Sequence, residues 1–311
     1  MQRSMSLLLL GLLFAFTVGT VEAEEVNLWE LYTNVFYKCK YVDLTHAFNP
    51  TQAVWPGFGL ARFEPAKAGA DLGDYASTGD VFTYKDHGFV ATAYSIPTDQ
   101  YGTQLDPPSH WDEYGATISD LPATYCIRPL VVINISDKVA KNPGYHCGID
   151  DIKAWEKKYG TIPAGAVVMV RSDWYKGWDK VTGFNTKPFP GVHIDAIKFL
   201  HKERDILFHG HEALDTDTTP TLEGEYWLMH NHFCQAEGVA HLDKVPEAGA
   251  LIAIGFAKPL GGTGGYARYI AICPPGWKYG KSVAEAPGAP LPKQPYPLKR
   301  DEHGVMRATK P

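Results

Sequence analysis

The middle of the chain alternates apolar runs with amphipathic segments, and this alternation constrains the fold more than any other feature. Apolar runs at 130–135, 166–170 and 206–208 predict buried strands. Between them, residues 150–159 and 193–203 have the apolar spacing of helices that bury one face. The order strand, helix, strand, helix, strand is typical of an α/β layer, in which helices cover a sheet.

Further strands are predicted on both sides of this layer. They lie at 41–48, 81–84 and 89–96, and a closing pair lies at 250–256 and 267–272. The loop 261–265 in that pair is glycine-rich, but it lacks a phosphate-binding lysine and precedes a strand, which favours a tight turn. We find no internal repeat or long linker. We therefore predict one domain over 24–275, followed by a proline-rich extension over 276–311.

The first 23 residues have the features of a secretory signal peptide. Arg3 precedes an apolar run at 7–18, which is shorter than the roughly 20 residues of a membrane-spanning helix. Small residues at Val21 and Ala23 provide a cleavage site before Glu24. We expect a secreted or periplasmic protein that has no membrane contact after cleavage; an uncleaved anchor is the alternative.

Charge and cysteine content exclude several classes of protein. Lysine plus arginine is 29 and aspartate plus glutamate is 35, so the net charge of −6 gives no basic surface for nucleic acid. The expected partner is a small molecule. The five cysteines contain no Cys-x-x-Cys pair, which argues against a cysteine zinc site. Cys126 and Cys147 are a plausible disulfide pair, although the sequence does not fix it.

The densest polar cluster is a loop at residues 100–110, which reads QYGTQLDPPSH. It follows a predicted strand, and its prolines stiffen it, as a site that must hold side chains in fixed directions requires. Asp106 is a candidate oxygen ligand, and His110 can bind a metal or act as a general base. The alternative is a turn in which both side chains bind backbone groups.

Two later clusters contain histidines. His209 and His211 directly follow a predicted strand, and sites collect at the carboxyl ends of strands in α/β sheets. Residues 230–238 read HNHFCQAEG, so Gln235 and Glu237 would share one face of a strand. His230 and His232 have the same alternation. A single histidine is nonetheless more often a surface or core-edge residue than a ligand.

Together these clusters resemble the cyclase family, which includes bacterial kynurenine formamidases and isatin hydrolases. The family motif, His-x-Gly-Thr-His-x-Asp-x-Pro-x-His, is matched by residues 100–110, with supporting matches at 43–46, 55–57, 189–191, 210–217 and 235–246. The resemblance covers about residues 41–273. It implies a single mixed-sheet α/β domain of the kynurenine-formamidase type, with a swivelling β/β/α-like architecture, and it implies oligomers, for which a homodimer is the expectation.

The resemblance also implies one divalent metal ion, manganese or zinc. Its ligands, carried over by position, would be Gln100, Gln104, Asp106 and Glu237. The two inner histidines of the motif are glutamines here, and a glutamine oxygen is a harder and weaker ligand, so manganese is slightly favoured over zinc. His110 would be the acid/base residue or a second-metal ligand. The candidates for a further catalytic histidine are His211, His230 and His232, of which His211 is favoured by its position after a strand.

The implied function is metal-dependent hydrolysis of an acyl C–N or C–O bond in an aryl formamide, a cyclic amide or a lactone, as in tryptophan catabolism. The metal would activate a water molecule and His110 would move its proton. Trp55, Trp111 and Trp174 would form aromatic walls around a flat substrate, with core packing as the alternative for each. Arg171 and Asp173 would orient a polar group or form an ion pair.

The two glutamines also motivate a second hypothesis. On it, the chain is a non-catalytic small-molecule binding protein that keeps the same scaffold and a degraded metal site. A serine hydrolase is excluded because the chain has no Gly-x-Ser-x-Gly elbow.

Overall fold

The computed structural model of the chain describes residues 26–179, 184 and 186–310. The signal peptide predicted over residues 1–23 lies outside them. Within the described part, no helix is both long and apolar enough to cross a membrane.

The helices and strands follow the predicted alternation. The helices are α1 (Leu28–Asn34), α2 (Ser136–Lys141), α3 (Ile149–Tyr159), α4 (Ile194–Glu203) and α5 (Glu223–His230). The first seven strands are β1 (Lys40–Asp43), β2 (Arg62–Pro65), β3 (Thr92–Ser95), β4 (Gln104–Asp106), β5 (Ile127–Asn134), β6 (His146–Cys147) and β7 (Val167–Arg171). The later strands are β8 (Gly191–Val192), β9 (Phe208–His211), β10 (Cys234–Glu237), β11 (Ala250–Phe256), β12 (Gly265–Cys273), β13 (Leu298–Arg300) and β14 (Met306–Ala308).

The main sheet closes on itself. Its strand order is β1-β12-β11-β5-β7-β9-β10-β4, and β4 also pairs with β12, where Gly265 lies opposite Leu105. The strands from β12 to β4 therefore form a barrel-like ring, and β1 extends it along the other end of β12. The β5, β7, β9 and β10 strands run parallel, whereas β4, β11 and β12 pair antiparallel. This arrangement confirms the predicted mixed-sheet α/β domain.

Each face of the ring has its own apolar core, because successive side chains of a strand point to opposite faces. Leu130 and Val132 of β5 belong to the core inside the ring, with Leu105, Phe208 and Ala236 from the strands that carry the site. Val131 and Ile133 belong to the outer core, where the strands pack against α3 and α4. Burying each such aliphatic side chain contributes about 1.5–3 kcal/mol.

Three β-segments predicted before the site differ from the structure, and the first of them, at 41–48, shortens to β1. Residues 81–84 do not form a strand, and Val81 makes only an isolated bridge to Lys67. The aromatic residues of this segment pack locally instead, with the rings of Phe82 and Phe89 4.7 Å apart. The segment predicted at 89–96 shortens to β3, which pairs with β2.

All five cysteines lie in the described residues, and each is a free thiol. The suggested Cys126–Cys147 disulfide is therefore wrong. Cys126 is exposed, just before β5, whereas Cys147 is fully buried in the outer core.

The segment after Cys273 folds back onto the domain. Its β13–β14 hairpin is joined to the rest of the chain by Arg300, which donates a 2.7 Å hydrogen bond to the carbonyl of Ala91. An ion pair between Lys40 and Glu285 connects the same segment to β1. The predicted extension thus lies along the surface of the domain.

Candidate active site

Six polar side chains share the outer face of three adjacent strands, and we call them the polar array. Leu105, Phe208 and Ala236 point into the ring, so their neighbours along β4, β9 and β10 point outward. The members of the polar array are Gln104, Asp106, His209, His211, Gln235 and Glu237, and each is at most 3% exposed.

Strand register places these side chains in rows. Gln104 lies opposite Glu237, and Asp106 lies opposite Gln235, in the β4–β10 pair. Gln235 in turn lies beside His209 in the β10–β9 pair. Two carboxyl groups are therefore brought together by the sheet itself.

Helix α5 covers the polar array and adds a third buried carboxyl group, that of Glu225. The start of the helix is fixed by Asp217, whose carboxylate accepts hydrogen bonds from the backbone of Gly224 at 2.8 Å and of Thr219 at 2.8 Å. A Cβ atom at Gly224 would lie 2.8 Å from that carboxylate, so glycine permits the close approach. These contacts of Asp217 at the start of α5 hold Glu225 over the strands.

Asp106, Glu225 and Glu237 form what we call the carboxyl cluster, and two glutamine amides bridge it. The Nε2 atom of Gln104 donates to Oε2 of Glu237 at 2.9 Å and to Oδ2 of Asp106 at 3.3 Å. The Nε2 atom of Gln235 donates to Oε1 of Glu225 at 2.6 Å and to Oε1 of Glu237 at 3.0 Å. The cluster is therefore held together by N–H donors.

Burial raises the pKa of all three acids in the carboxyl cluster. The charge of Glu225 raises the pKa values of Asp106 and Glu237 further. Because carboxylates this close cannot all ionise readily, the cluster keeps protons to a higher pH than exposed acids do.

A cavity of about 370 Å³ opens beside the carboxyl cluster. Its polar lining consists of Gln100, Gln104, His110, Asp215, Glu225 and Glu237. Its apolar lining consists of Trp55, Phe58, Trp111, Leu214 and Leu222. The indole nitrogen of Trp55 donates to Asp215 at 3.2 Å, which joins the N-terminal loop to the loop after β9.

His110 lies on the polar side of this cavity, at the end of a short 3-10 turn over Pro108–His110. Nε2 of Gln100 lies 3.2 Å from Nδ1 of His110, and it also donates to the carbonyl of Thr263 at 2.8 Å. A carbonyl can only accept, so the amide nitrogen is the donor at both contacts. Nδ1 of His110 then accepts, and the ring proton is on Nε2.

Burial also lowers the pKa of His110, which favours the neutral ring. The side chain therefore offers the cavity a neutral Nε2–H group.

The structure separates the three candidates for a further catalytic histidine. His211 is buried, 3.2 Å from both the Ala213 carbonyl and the Thr216 hydroxyl and 3.8 Å from Glu237, behind the cavity rather than among its described lining. His230 ends α5 and is exposed. His232 has a positive φ of 61° and lies outside any strand. The expected strand alternation of His230 and His232 is therefore wrong.

The structure also distinguishes among the predicted aromatic and charged residues. Trp55 and Trp111 line the cavity, but Trp174 is not among its described lining, and its indole nitrogen donates to the carbonyl of Phe184 at 2.8 Å. Arg171 and Asp173 form an ion pair at 2.7 Å.

The hydrogen bonds of the site do not fit a divalent metal ion. Gln104 presents its nitrogen, not its oxygen, to the two carboxylates. Oε1 of Gln100 accepts from the hydroxyl of Thr98 at 2.7 Å. Among the residues that the structure describes, no group of three or more His, Cys, Asp or Glu side chains could hold a metal. The ligand roles of Gln100, Gln104, Asp106 and Glu237 stay predictions, and these contacts do not match them.

Glu225 is the main site residue that the sequence reasoning missed. Its signal was present, because Glu225, Leu228 and Met229 have the i, i+3, i+4 spacing of one helix face and all three are buried. An acid on the apolar face of a short helix indicates a buried carboxyl group that needs partners.

Comparison with known proteins agrees with this architecture. A family model described as "Putative cyclase" matches residues 42–218. Isatin hydrolase from Roseibium aggregatum is 31% identical over 204 residues, which are 61% of this chain and 77% of that protein.

Solved structures are also similar to this chain. Isatin hydrolase A from Labrenzia aggregata, bound to benzyl benzoate, is 26% identical with a TM-score of 0.65, over 79% of this chain and 97% of that one. Isatin hydrolase A from Ralstonia solanacearum is 24% identical with a TM-score of 0.65, over 79% and 95% of the two chains, and supports the fold.

Proposed function

This chain belongs to the cyclase family and is a hydrolase, and from that premise we propose that it cleaves the acyl C–N or C–O bond of a flat aromatic substrate. A cyclic amide, an aryl formamide and a lactone are the candidate substrate classes. The observation that carries the proposal is the cavity itself, which places Trp55 and Trp111 beside His110 and the carboxyl cluster.

The size and lining of the cavity favour a compact aromatic substrate. Its volume of about 370 Å³ is near the lower end for small-molecule sites, which are commonly ~300–1,000 Å³. One or two fused rings fill such a space, with the tryptophans against the ring faces. Isatin, the compound in the name of the relatives, is a flat bicyclic molecule with a cyclic amide.

In the proposed reaction, water adds to the carbonyl carbon and the C–N or C–O bond breaks. The Nε2–H group of His110 donates a hydrogen bond to the carbonyl oxygen, where negative charge develops. Glu225, at the cavity wall, accepts the proton of the water. The leaving nitrogen or oxygen then takes up that proton, which completes the hydrolysis.

This assignment differs from the expectation that His110 takes the proton of the water. A base needs a free nitrogen directed at the water, but Nδ1 of His110 is occupied by Gln100. A buried carboxylate such as Glu225 is the better base, because burial raises its pKa and so makes it bind a proton more strongly than an exposed carboxylate does.

The proposal is tested by assaying the purified protein with an isatin-type cyclic amide, an aryl formamide and an aromatic lactone, each with and without added manganese and zinc. We expect turnover of at least one class. Replacing His110 with alanine or Glu225 with glutamine should each reduce kcat about 10²–10⁴-fold. His230→Ala, at the exposed end of α5, is the matched control and should retain activity. A protein that binds these compounds but converts none of them contradicts the proposal.

We also propose, from the N-terminal sequence, that the protein is exported and loses residues 1–23. N-terminal sequencing of protein recovered from outside the cytoplasm should begin at Glu24. A mature chain that begins at Met1 contradicts it. The homodimer implied by the resemblance stays a prediction.

A further inference from the structure

We propose that the side chain of Gln104 takes the place of a cation between Asp106 and Glu237, so that the hydrolase works without a metal ion. The inference rests on the proposed function and concerns the same site. It replaces the expectation of a manganese or zinc centre with an amide-bridged carboxyl cluster.

The amide of Gln104 directs its N–H group, not its oxygen, at the two carboxylates. An amide nitrogen carries two hydrogens and no available lone pair, and Nε2 of Gln104 lies 2.9 Å from Glu237 and 3.3 Å from Asp106. A divalent ion binds carboxylate oxygens at about 2.0–2.6 Å. Such an ion would occupy the same space as the N–H group of Gln104 and would bind the same oxygens of Asp106 and Glu237.

The position of the Gln104 amide is set by the pairing of strands in the sheet. Gln104 is the register partner of Glu237 across β4–β10, and Asp106 lies two residues further along β4 on the same face. Both strands are buried at these positions. The bridge therefore does not depend on a mobile loop or on an exposed rotamer.

The other expected ligands are also largely used by hydrogen bonds. Glu237 accepts from Gln104 at Oε2 and from Gln235 at Oε1, so each of its oxygens already has an N–H donor. Gln100 uses its oxygen for Thr98 and its nitrogen for His110 and Thr263. Only Asp106 keeps a carboxylate oxygen, Oδ1, without a hydrogen-bond partner among the described residues, whereas a divalent ion takes four or more ligands.

The metal inference is tested on the full mature chain by elemental analysis as isolated, and by calorimetric titration with Mn²⁺ and Zn²⁺ after chelator treatment. We expect far less than one metal per chain, no saturable binding and unchanged turnover after the chelator. The isosteric Gln104→Glu variant adds a fourth carboxyl group to the cluster, and Gln104→His adds an imidazole. Each should show saturable binding of Mn²⁺ or Zn²⁺, where wild type shows none.

Gln294→Glu is the matched control, because it adds the same charge at an exposed position. It should leave metal binding unchanged. Wild-type protein that contains stoichiometric metal and loses turnover with the chelator overturns the inference, even if the variants do not fold. That result would leave the proposed function intact, whereas a metal-free protein that is inactive with all three substrate classes contradicts the function alone.

Discussion

Nε2 of Gln100 lies 3.2 Å from Nδ1 of His110 and donates a hydrogen bond to it. The same nitrogen is anchored on the carbonyl of Thr263, in the glycine-rich loop that joins β11 to β12. The loop between β11 and β12 therefore positions Gln100, and Gln100 determines which ring nitrogen of His110 carries the proton.

The first prediction concerns this contact. In Gln100→Glu, the new carboxylate cannot donate to Nδ1, so the proton should move to Nδ1 and the cavity should lose its Nε2–H donor. We expect kcat to fall about 10²–10³-fold, as for the loss of one donor to a developing oxyanion. Nitrogen NMR of histidine-labelled protein, assigned with His110→Ala, reports the tautomer directly. An unchanged tautomer in the variant would refute this role for Gln100, and Gln294→Glu is the charge control.

The second prediction concerns the aromatic wall. Trp55 packs against Phe58 at a centroid distance of 5.2 Å and joins the two loops through Asp215. Removing its ring in Trp55→Ala should raise KM about 10–100-fold, because about 1.5–3 kcal/mol of apolar burial of the substrate is lost. The kcat should change much less, since Trp55 takes no part in the proposed proton transfers.

Steady-state kinetics on the best substrate separate the two parameters. Trp29→Ala is the matched control, because Trp29 is 85% exposed and lies on α1. A fall in kcat at constant KM would contradict the binding role of Trp55.

The third prediction concerns the pH dependence of stability. Glu212 is fully buried, accepts from the hydroxyl of Ser172 at 2.8 Å, and burial raises its pKa from 4.5 to about 7. Above pH 4.5 the unfolded chain releases this proton while the folded chain keeps it. The free energy of unfolding should therefore fall by about 3 kcal/mol as the pH rises to about 7, and not change further above it.

Glu212→Gln keeps an acceptor for Ser172 but cannot ionise. We measure the free energy of unfolding by denaturant at pH 4.5 and pH 8. The value for the variant minus the value for wild type should be larger at pH 8. The carboxyl cluster is present in both proteins, so its own pH dependence cancels in this difference. The exposed Glu203→Gln is the control. A difference between variant and wild type that stays constant with pH would show that the pKa of Glu212 is the same in the folded and the unfolded chain, which contradicts the prediction.

Local patterns predicted most of the fold because the strands and helices of the α/β layer have clear periodicities. The runs at 130–135 and 166–170 became parts of β5 and β7, and the segment at 150–159 became α3. The strand at 81–84 failed because its apolar residues are aromatic and satisfy one another within a loop. Apolar character alone does not distinguish the two outcomes.

The site was predictable only in part, because its chemistry depends on partners distant in the chain. The motif placed Gln104, Asp106 and His110 in one loop, and the structure brings them to one cavity and its carboxyl cluster. No local pattern shows that the amide of Gln104 meets Glu237, a contact across 133 residues that only the β4–β10 register creates. Nor does any show that Trp174 turns to Phe184 instead of the cavity.

The last prediction concerns His209, in the same polar array. It is fully buried, and neither ring nitrogen has a hydrogen-bond partner among the described residues. Burial lowers its pKa well below the usual value, so the ring is neutral in the folded protein. Replacing an unpaired buried polar ring by an apolar side chain removes its desolvation penalty, so His209→Leu should raise the free energy of unfolding by about 1–3 kcal/mol.

His211→Leu is the matched comparison, one step along the same face of β9. Its ring nitrogens lie 3.2 Å from the Ala213 carbonyl and the Thr216 hydroxyl, so its replacement removes a hydrogen-bonded ring and should destabilise the protein. Chemical denaturation of both variants at pH 7 measures the change in the free energy of unfolding, which should be positive for His209→Leu and negative for His211→Leu. Destabilisation by His209→Leu comparable to that by His211→Leu would contradict the prediction.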